Sequence, residues 1–96
     1  MTEPAAKPDT DLIMYSTTWC GYCTRLRSQL DRAGINYRVV DIEQDDDAAA
    51  WVAIANGGNR TVPTLRFSDD SALTNPSVIQ VQAHLAQIAS DAATAQ

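Results

Sequence analysis

The chain of 96 residues contains two cysteines, Cys20 and Cys23, both in the stretch TTWCGYCTRL from Thr17 to Leu26. A C-x-x-C pair can serve as a structural staple, as half of a metal site, or as a dithiol that exchanges disulfides. As a staple it is poorly placed, because in the chain-entropy model a ring of about four residues is worth about 2 kcal/mol, against about 3 kcal/mol for a fifteen-residue loop. As a structural zinc site it is incomplete: four ligands are wanted, and the sole histidine, His84, is distant in sequence and reads as an ordinary helix-surface or boundary residue.

Disulfide exchange has a positive physical case, which rests on the elements around the pair. Asp11 to Ser16 (DLIMYS) is a short apolar run that reads as a buried strand. From about Gly21 to Ala33, Cys23, Leu26, Leu30 and Ala33 recur at three- and four-residue spacing among polar residues, an amphipathic helix that Gly34 ends. A strand ending at Ser16 and a helix opening near Gly21 put Cys20 at the helix N-terminus. There, unpaired N–H groups and the positive end of the macrodipole favour a thiolate. Cys23 falls in the first turn on the same face, so Cys20 is expected to be the exposed attacker and Cys23 the sheltered second thiol.

Tyr37 to Ile42 (YRVVDI) reads as a second strand, parallel to the first across a right-handed βαβ crossover. Asp45, Asp46 and Asp47 precede AAAWVAIANGG and suit the first turn of a second helix rather than a cation site. Trp51, Ile54 and Ala55 are expected to form its buried face, with Gly57 and Gly58 ending it. Thr64 to Phe67 (TLRF) and Ala72 to Thr74 (ALT) form a hairpin across SDDS. Asn75-Pro76 reads as an N-cap followed by proline at the first helical position. Val78, Val81, Leu85 and Ile88 carry the core stripe of the last helix, and the chain frays from Ser90. The fold class is therefore α/β, in the order β-α-β-α-β-β-α, with a four-stranded mixed sheet and three helices. One domain over residues 11–90 is expected, with flexible tails over 1–10 and 91–96.

With 45% hydrophobic and 20% charged residues the composition is that of a globular domain. A net charge of -5 and a single lysine, Lys7, argue against a nucleic-acid partner. No apolar run approaches the roughly 20 residues of a membrane span, and Met1 to Thr10 lacks the apolar core of a signal peptide. The expectation is a soluble, cytoplasmic monomer, in a reducing compartment that does not maintain structural disulfides.

WCGYC (Trp19 to Cys23), NRTVPT (Asn59 to Thr64) and LTNPS (Leu73 to Ser77), in that order, resemble the glutaredoxin branch of the thioredoxin-like fold, and most closely the mycoredoxins of bacteria that use mycothiol. The resemblance runs from Leu12 to about Ile88. It implies that Cys20 attacks a protein–mycothiol mixed disulfide and holds mycothiol until a second mycothiol resolves it, with Cys23 dispensable. It further implies that Thr61, Val62 and Pro63 form a cis-proline loop, with the backbone of Val62 offered to the amide of the thiol cosubstrate. Trp19 and Tyr22 would frame the cysteines as apolar contact surface. No tightly bound cofactor or metal is expected. The resemblance implies mycothiol as the reducing cosubstrate, a mycothiol disulfide reductase pathway upstream, and mycothiolated or disulfide-containing proteins as the partners.

The chain departs from the glutathione-type pattern at two places. Thr17 stands where many glutaredoxins carry a lysine, and Ala72 to Ser77 (ALTNPS) replaces the G-G-x-D-D stretch that holds the γ-glutamyl end of glutathione. Thr74, Asn75 and Ser77 are expected to hydrogen-bond the hydroxyl-rich, uncharged sugar end of mycothiol, assisted by Arg60. Two alternatives stand beside this reading. A redoxin of the ribonucleotide-reductase type, reduced by thioredoxin reductase, would carry W-S-G-F-R-P in its last third, where this chain has LTNPS. An iron–sulfur carrier is suggested by Gly21 in place of the proline of C-P-Y-C, and would need a dimer and outside thiols.

Overall fold

A computed structural model describes residues 12–94. The elements are β1 (Ile13–Ser16), α1 (Gly21–Arg32), β2 (Arg38–Asp41), α2 (Asp46–Ala55), β3 (Thr64–Arg66), β4 (Ala72–Thr74) and α3 (Val78–Thr94), in the expected order. Asp11 and the tail expected over residues 1–10 lie outside the described residues, as do residues 95 and 96.

The strands make one sheet in the order β2-β1-β3-β4. β1 and β2 pair in parallel, with Met14 opposite Val39, because α1 carries the chain back between them. The β1–β3 and β3–β4 pairs are antiparallel, with Leu65 opposite both Met14 and Leu73.

Alternation along the strands divides the core. Leu12, Met14, Leu65 and Phe67 face one way and pack with Cys23, Leu26 and Leu30 of α1 and Val81 of α3. Tyr15 faces the other way, onto Ile42 and onto Ala48, Ala49 and Val52 of α2. Each large apolar side chain fully buried here contributes about 1.5 to 3 kcal/mol. Cys23 is thus both a site residue and a brick of the larger cluster, which fixes α1 against the sheet.

Helix ends follow the local sequence closely. Gly34, at φ 74°, stops α1. Its N–H donates to the Asp31 carbonyl at 3.1 Å and the Ile35 N–H to the Leu30 carbonyl at 3.0 Å, the paired closing bonds that a left-handed residue permits. Asp45 caps α2 by accepting the Ala48 N–H at 3.0 Å, and Asp46 and Asp47 occupy its first turn, as expected of the three aspartates.

Three details differ from expectation. The buried face of α2 is Ala48, Ala49 and Val52, whereas Ile54 is 81% exposed and Ala55 is exposed. The small alanines let the helix backbone approach the sheet under Tyr15, which turns Ile54 outward. The N-cap of α3 is Ser77 rather than Asn75: Ser77 Oγ accepts the Gln80 N–H at 3.1 Å, and Gln80 Oε1 accepts the Ser77 N–H at 2.8 Å. This reciprocal pair satisfies two otherwise orphaned donors, and Asn75, at φ 47°, instead turns the chain out of β4. Finally, α3 passes through Ser90 to Thr94, since no glycine or proline interrupts SDAAT.

Candidate active site

Cys20 is the N-cap of α1, with extended backbone (φ -89°, ψ 107°). Its Sγ accepts the Cys23 N–H at 3.1 Å, so the sulfur takes the place of the hydroxyl or carboxylate oxygen that usually satisfies an orphan donor of the first turn. The Cys20 carbonyl accepts the Thr24 N–H at 3.2 Å and the Thr24 hydroxyl at 3.3 Å, which ties the cap to the helix.

Both cysteines are free thiols. Cys20 is 7% exposed and Cys23 1%, so the expected ranking holds but Cys20 is not the openly exposed group that its position suggested. The covering element is the loop before β3: the Val62–Pro63 peptide is cis, and the Val62 carbonyl lies 3.9 Å from Cys20 Sγ.

Burial acts on the chemistry of Cys23. The Cys23 thiol is pushed up to about 11, first by burial and then by its hydrogen bond with Cys20, despite opposing hydrogen bonds from Ser16 and Thr17. At neutral pH Cys23 is a neutral thiol. Thr17 has a buried hydroxyl with no hydrogen-bond partner among the described residues, and supplies no charge.

The other expected site residues fall into three groups. Trp19 and Tyr22 are 72% and 64% exposed and flank the cysteines. The Trp19 indole N–H donates to Glu43 Oε2 at 3.1 Å, a partner that no sequence signal indicated because it belongs to the loop after β2. Val62 is half-buried beside the sulfur, Pro63 is buried, and Thr61 is exposed, its carbonyl accepting the Thr64 hydroxyl at 2.7 Å. Arg60 is exposed, with no ion pair to a described residue.

Thr74 and Asn75 make different contacts. The Thr74 hydroxyl donates to Asn56 Oδ1 at 2.5 Å, and Asn56 in turn donates to the Val52 carbonyl at 2.9 Å and to Thr64 Oγ1 at 3.2 Å. Asn56 was not singled out from sequence; its place just after α2 is the only hint. Asn75 points elsewhere. Its N–H donates to the Pro63 carbonyl at 2.7 Å, joining the cis-proline loop to the turn before α3.

A cleft of about 370 Å³ opens at this junction, between α1 and the turn before α3, with Tyr22 and Asn75 among its walls. A larger hollow of about 490 Å³ lies against Arg27, Asp31 and Tyr37 toward the other end of α1, away from the cap that holds Cys20. The smaller cleft adjoins the site through Tyr22, which lies between the two cysteines in sequence, and through Asn75, whose N–H is bonded to the Pro63 carbonyl. No helix among the described residues is long and apolar enough to cross a membrane.

A cap sulfur, a buried neighbouring thiol and a cis-proline loop make a unit for thiol–disulfide exchange, and comparison with known proteins agrees. The glutaredoxin family model matches residues 12–71. The chain is 54% identical over 78 residues to a protein of Mycobacterium tuberculosis H37Rv named as a glutaredoxin, covering 81% of this chain and 93% of that one. It is 41% identical over 80 residues to Mycoredoxin 1 of Corynebacterium glutamicum, covering 83% and 99% respectively. Among solved structures, the glutaredoxin of Methanosarcina mazei Go1 superposes with a TM-score of 0.69 over 80% of this chain and 79% of that one, at 20% identity, a likeness of fold. From its cap cysteine to its cis-proline loop, the chain belongs to the glutaredoxin family, as a redox protein whose C-x-x-C pair is Cys20 and Cys23.

Proposed function

We propose that the protein reduces mixed disulfides between proteins and mycothiol, with Cys20 as nucleophile and mycothiol as reductant. The observation that carries the asymmetric mechanism is the division between the two thiols. Cys20 Sγ sits on a helix cap with an N–H donor 3.1 Å away, while Cys23 is buried and held neutral. Mycothiol as the small thiol is supported by the likeness to Mycoredoxin 1 and by ALTNPS, which lacks an acidic residue to meet the α-ammonium of glutathione.

In the first step the Cys20 thiolate attacks the mycothiol sulfur of the mixed disulfide. A new S–S bond forms, the old one breaks, and the client thiolate leaves and takes a proton from solvent. In the second step the thiolate of another mycothiol attacks the mycothiol sulfur on Cys20. Mycothiol disulfide departs with both oxidising equivalents, and Cys20 leaves as thiolate into the cap. The Cys23 N–H donates to the sulfur that carries charge at entry and exit, and such bonds strengthen with charge. Cys23 itself is not required, since its thiol is almost wholly protonated.

The site favours approach of the mixed disulfide beside Val62. Among the described residues the Val62 N–H has no acceptor, and together with its carbonyl it can pair with a cysteinyl amide as an added strand would. Trp19 and Tyr22 offer apolar contact for the client. The test is a panel of reductants on one mycothiolated protein: mycothiol, glutathione, and thioredoxin with its reductase. Turnover with mycothiol exceeding that with glutathione supports the proposal. Turnover by the thioredoxin system alone refutes it in favour of a ribonucleotide-reductase-type redoxin.

A further inference from the structure

An exposed hydrogen bond joins Trp19, the residue before Cys20, to Glu43, 24 residues away in the loop after β2. We infer that Glu43 is a specificity-determining residue for the client protein: it positions the Trp19 ring and, together with that ring, receives a lysine or arginine side chain next to the client's modified cysteine. This selection rests on the exchange reaction proposed above and adds the class of client to it.

The sheet order places Glu43 on a particular side of the sulfur. Ser16 is opposite Asp41, Tyr15 opposite Thr64, and Thr64 opposite Thr74. The loop after β2, the C-x-x-C loop, the cis-proline loop and the turn after β4 therefore emerge at one end of the sheet, side by side in the order β2-β1-β3-β4. A mixed disulfide brings two halves to Cys20. The small thiol laid along Val62 takes the β3 side, which leaves the client the β2 side, over Trp19 and the Glu43 loop.

Glu43 is held in place from its own backbone. Its N–H donates to Asp41 Oδ1 at 2.8 Å, the Gln44 N–H donates to the Asp41 carbonyl at 3.0 Å, and the Ile42 N–H donates to the Ser16 carbonyl at 3.0 Å, which roots the loop on β1. Glu43 Oε2 then accepts the Trp19 indole N–H at 3.1 Å. Trp19 is 72% exposed, so water could satisfy that N–H and the bond does little for folding. Its effect is to hold an open aromatic ring in one orientation beside the sulfur, which lowers the ordering cost of a contact there.

Charge then selects the client. The neighbouring aspartates are otherwise engaged, Asp41 with the Glu43 N–H and Asp45 as the cap of α2. Glu43 makes no ion pair with a described residue, and its Oε1 remains to accept. A carboxylate beside a tryptophan ring suits a basic side chain, which can pair with the one and stack on the other. The client chemistry supplies that side chain. A cysteine enters a mixed disulfide through its thiolate, and lysine or arginine neighbours favour the thiolate, so modified cysteines tend to have a basic residue beside them.

The test uses the intact protein with mycothiol as reductant and two peptides that carry mycothiol on one cysteine and differ in one adjacent residue, lysine or glutamate. The mixed disulfide of mycothiol with 2-mercaptoethanol, which has no residue to reach Glu43, reports the chemistry at Cys20. Wild type is expected to favour the lysine peptide by about threefold to tenfold in kcat/KM, and less at high salt. Glu43→Gln keeps an acceptor for the indole, and should reduce the preference to below about twofold through the peptide KM. Glu43→Ala should in addition weaken both peptides, because the ring is released. Both variants should match wild type on the mercaptoethanol disulfide. Asp46→Asn, which removes another exposed carboxylate nearby, should keep the wild-type preference. A wild type indifferent to the peptide's charge, or equal losses in Asp46→Asn and Glu43→Gln, would overturn the role of Glu43 while the exchange reaction stands. If wild type turns over none of the three substrates, the reaction itself fails and client selection falls with it.

Discussion

Capping Cys20 with 2-nitro-5-thiobenzoate leaves Cys23 as the only thiol in the chain. Attack by Cys23 on the Cys20 sulfur then closes the internal disulfide and releases the coloured nitrothiobenzoate, so ring closure can be followed by absorbance. The structure sets its rate through Cys23, whose thiol rises from an ordinary 9.0 to about 11, chiefly by burial. Burial persists when Cys20 is capped. At pH 7 the thiolate fraction falls from about one in a hundred to about one in ten thousand. The more basic thiolate is the better nucleophile, by about eightfold at a Brønsted slope near 0.45, so the net slowing is about tenfold. The logarithm of the closure rate should rise with unit slope from about pH 6 to pH 9, because the nucleophile titrates above that range. Cys23→Ser should release nothing. A bend toward a plateau between pH 8 and 9 would mean that Cys23 ionises as an ordinary thiol, and would refute the claim that burial keeps it neutral.

Three further outcomes test the physical account. Ser77→Ala should cost about 1 kcal/mol in chemical denaturation, as loss of a helix cap does, while Asn75→Gly should be near neutral; equal costs would contradict the assignment of Ser77 as cap. Val52→Ala on the buried face of α2 should destabilise by about 1 to 3 kcal/mol, whereas Ile54→Ser, at an exposed position, should change stability by less than about 0.5 kcal/mol. Because Cys23 holds its proton more tightly folded than unfolded, its contribution to stability is complete below pH about 9 and lost as the pH rises toward 11. Tm should therefore fall more steeply over that window in wild type than in Cys23→Ser, and parallel curves would count against the raised value.

What the sequence made legible follows from which interactions are local. The α1 stripe, Gly34 and the aspartates before α2 act within one or two turns, and each was readable. The cap position of Cys20 was readable too, because a strand ending at Ser16 leaves little room before the helix. The exposure of Ile54 is not legible locally, because α2 is apolar on several sides and only tertiary packing of Ala48 and Ala49 under Tyr15 decides which side is covered. Asn75-Pro76 outcompeted Ser77 as a cap signal, yet S-V-I-Q is itself a capping box and was present in the sequence. Burial of Cys20 comes from Val62, and the Trp19–Glu43 and Thr74–Asn56 bonds likewise join residues far apart in the chain. Such pairs follow from the sheet order β2-β1-β3-β4, which no short motif carries.

The division of labour between the two thiols is tested most directly by trapping the intermediate. Cys23→Ser is mixed with a mycothiolated protein in the absence of free mycothiol, quenched with acid and analysed by intact-mass and peptide-level mass spectrometry. The expected product is one mycothiol per chain, located on Cys20, which added mycothiol then removes, while Cys20→Ser acquires none. Mycothiol on Cys20→Ser, or a Cys23→Ser protein that neither gains the adduct nor turns over, would contradict the assignment of Cys20 as the sole nucleophile.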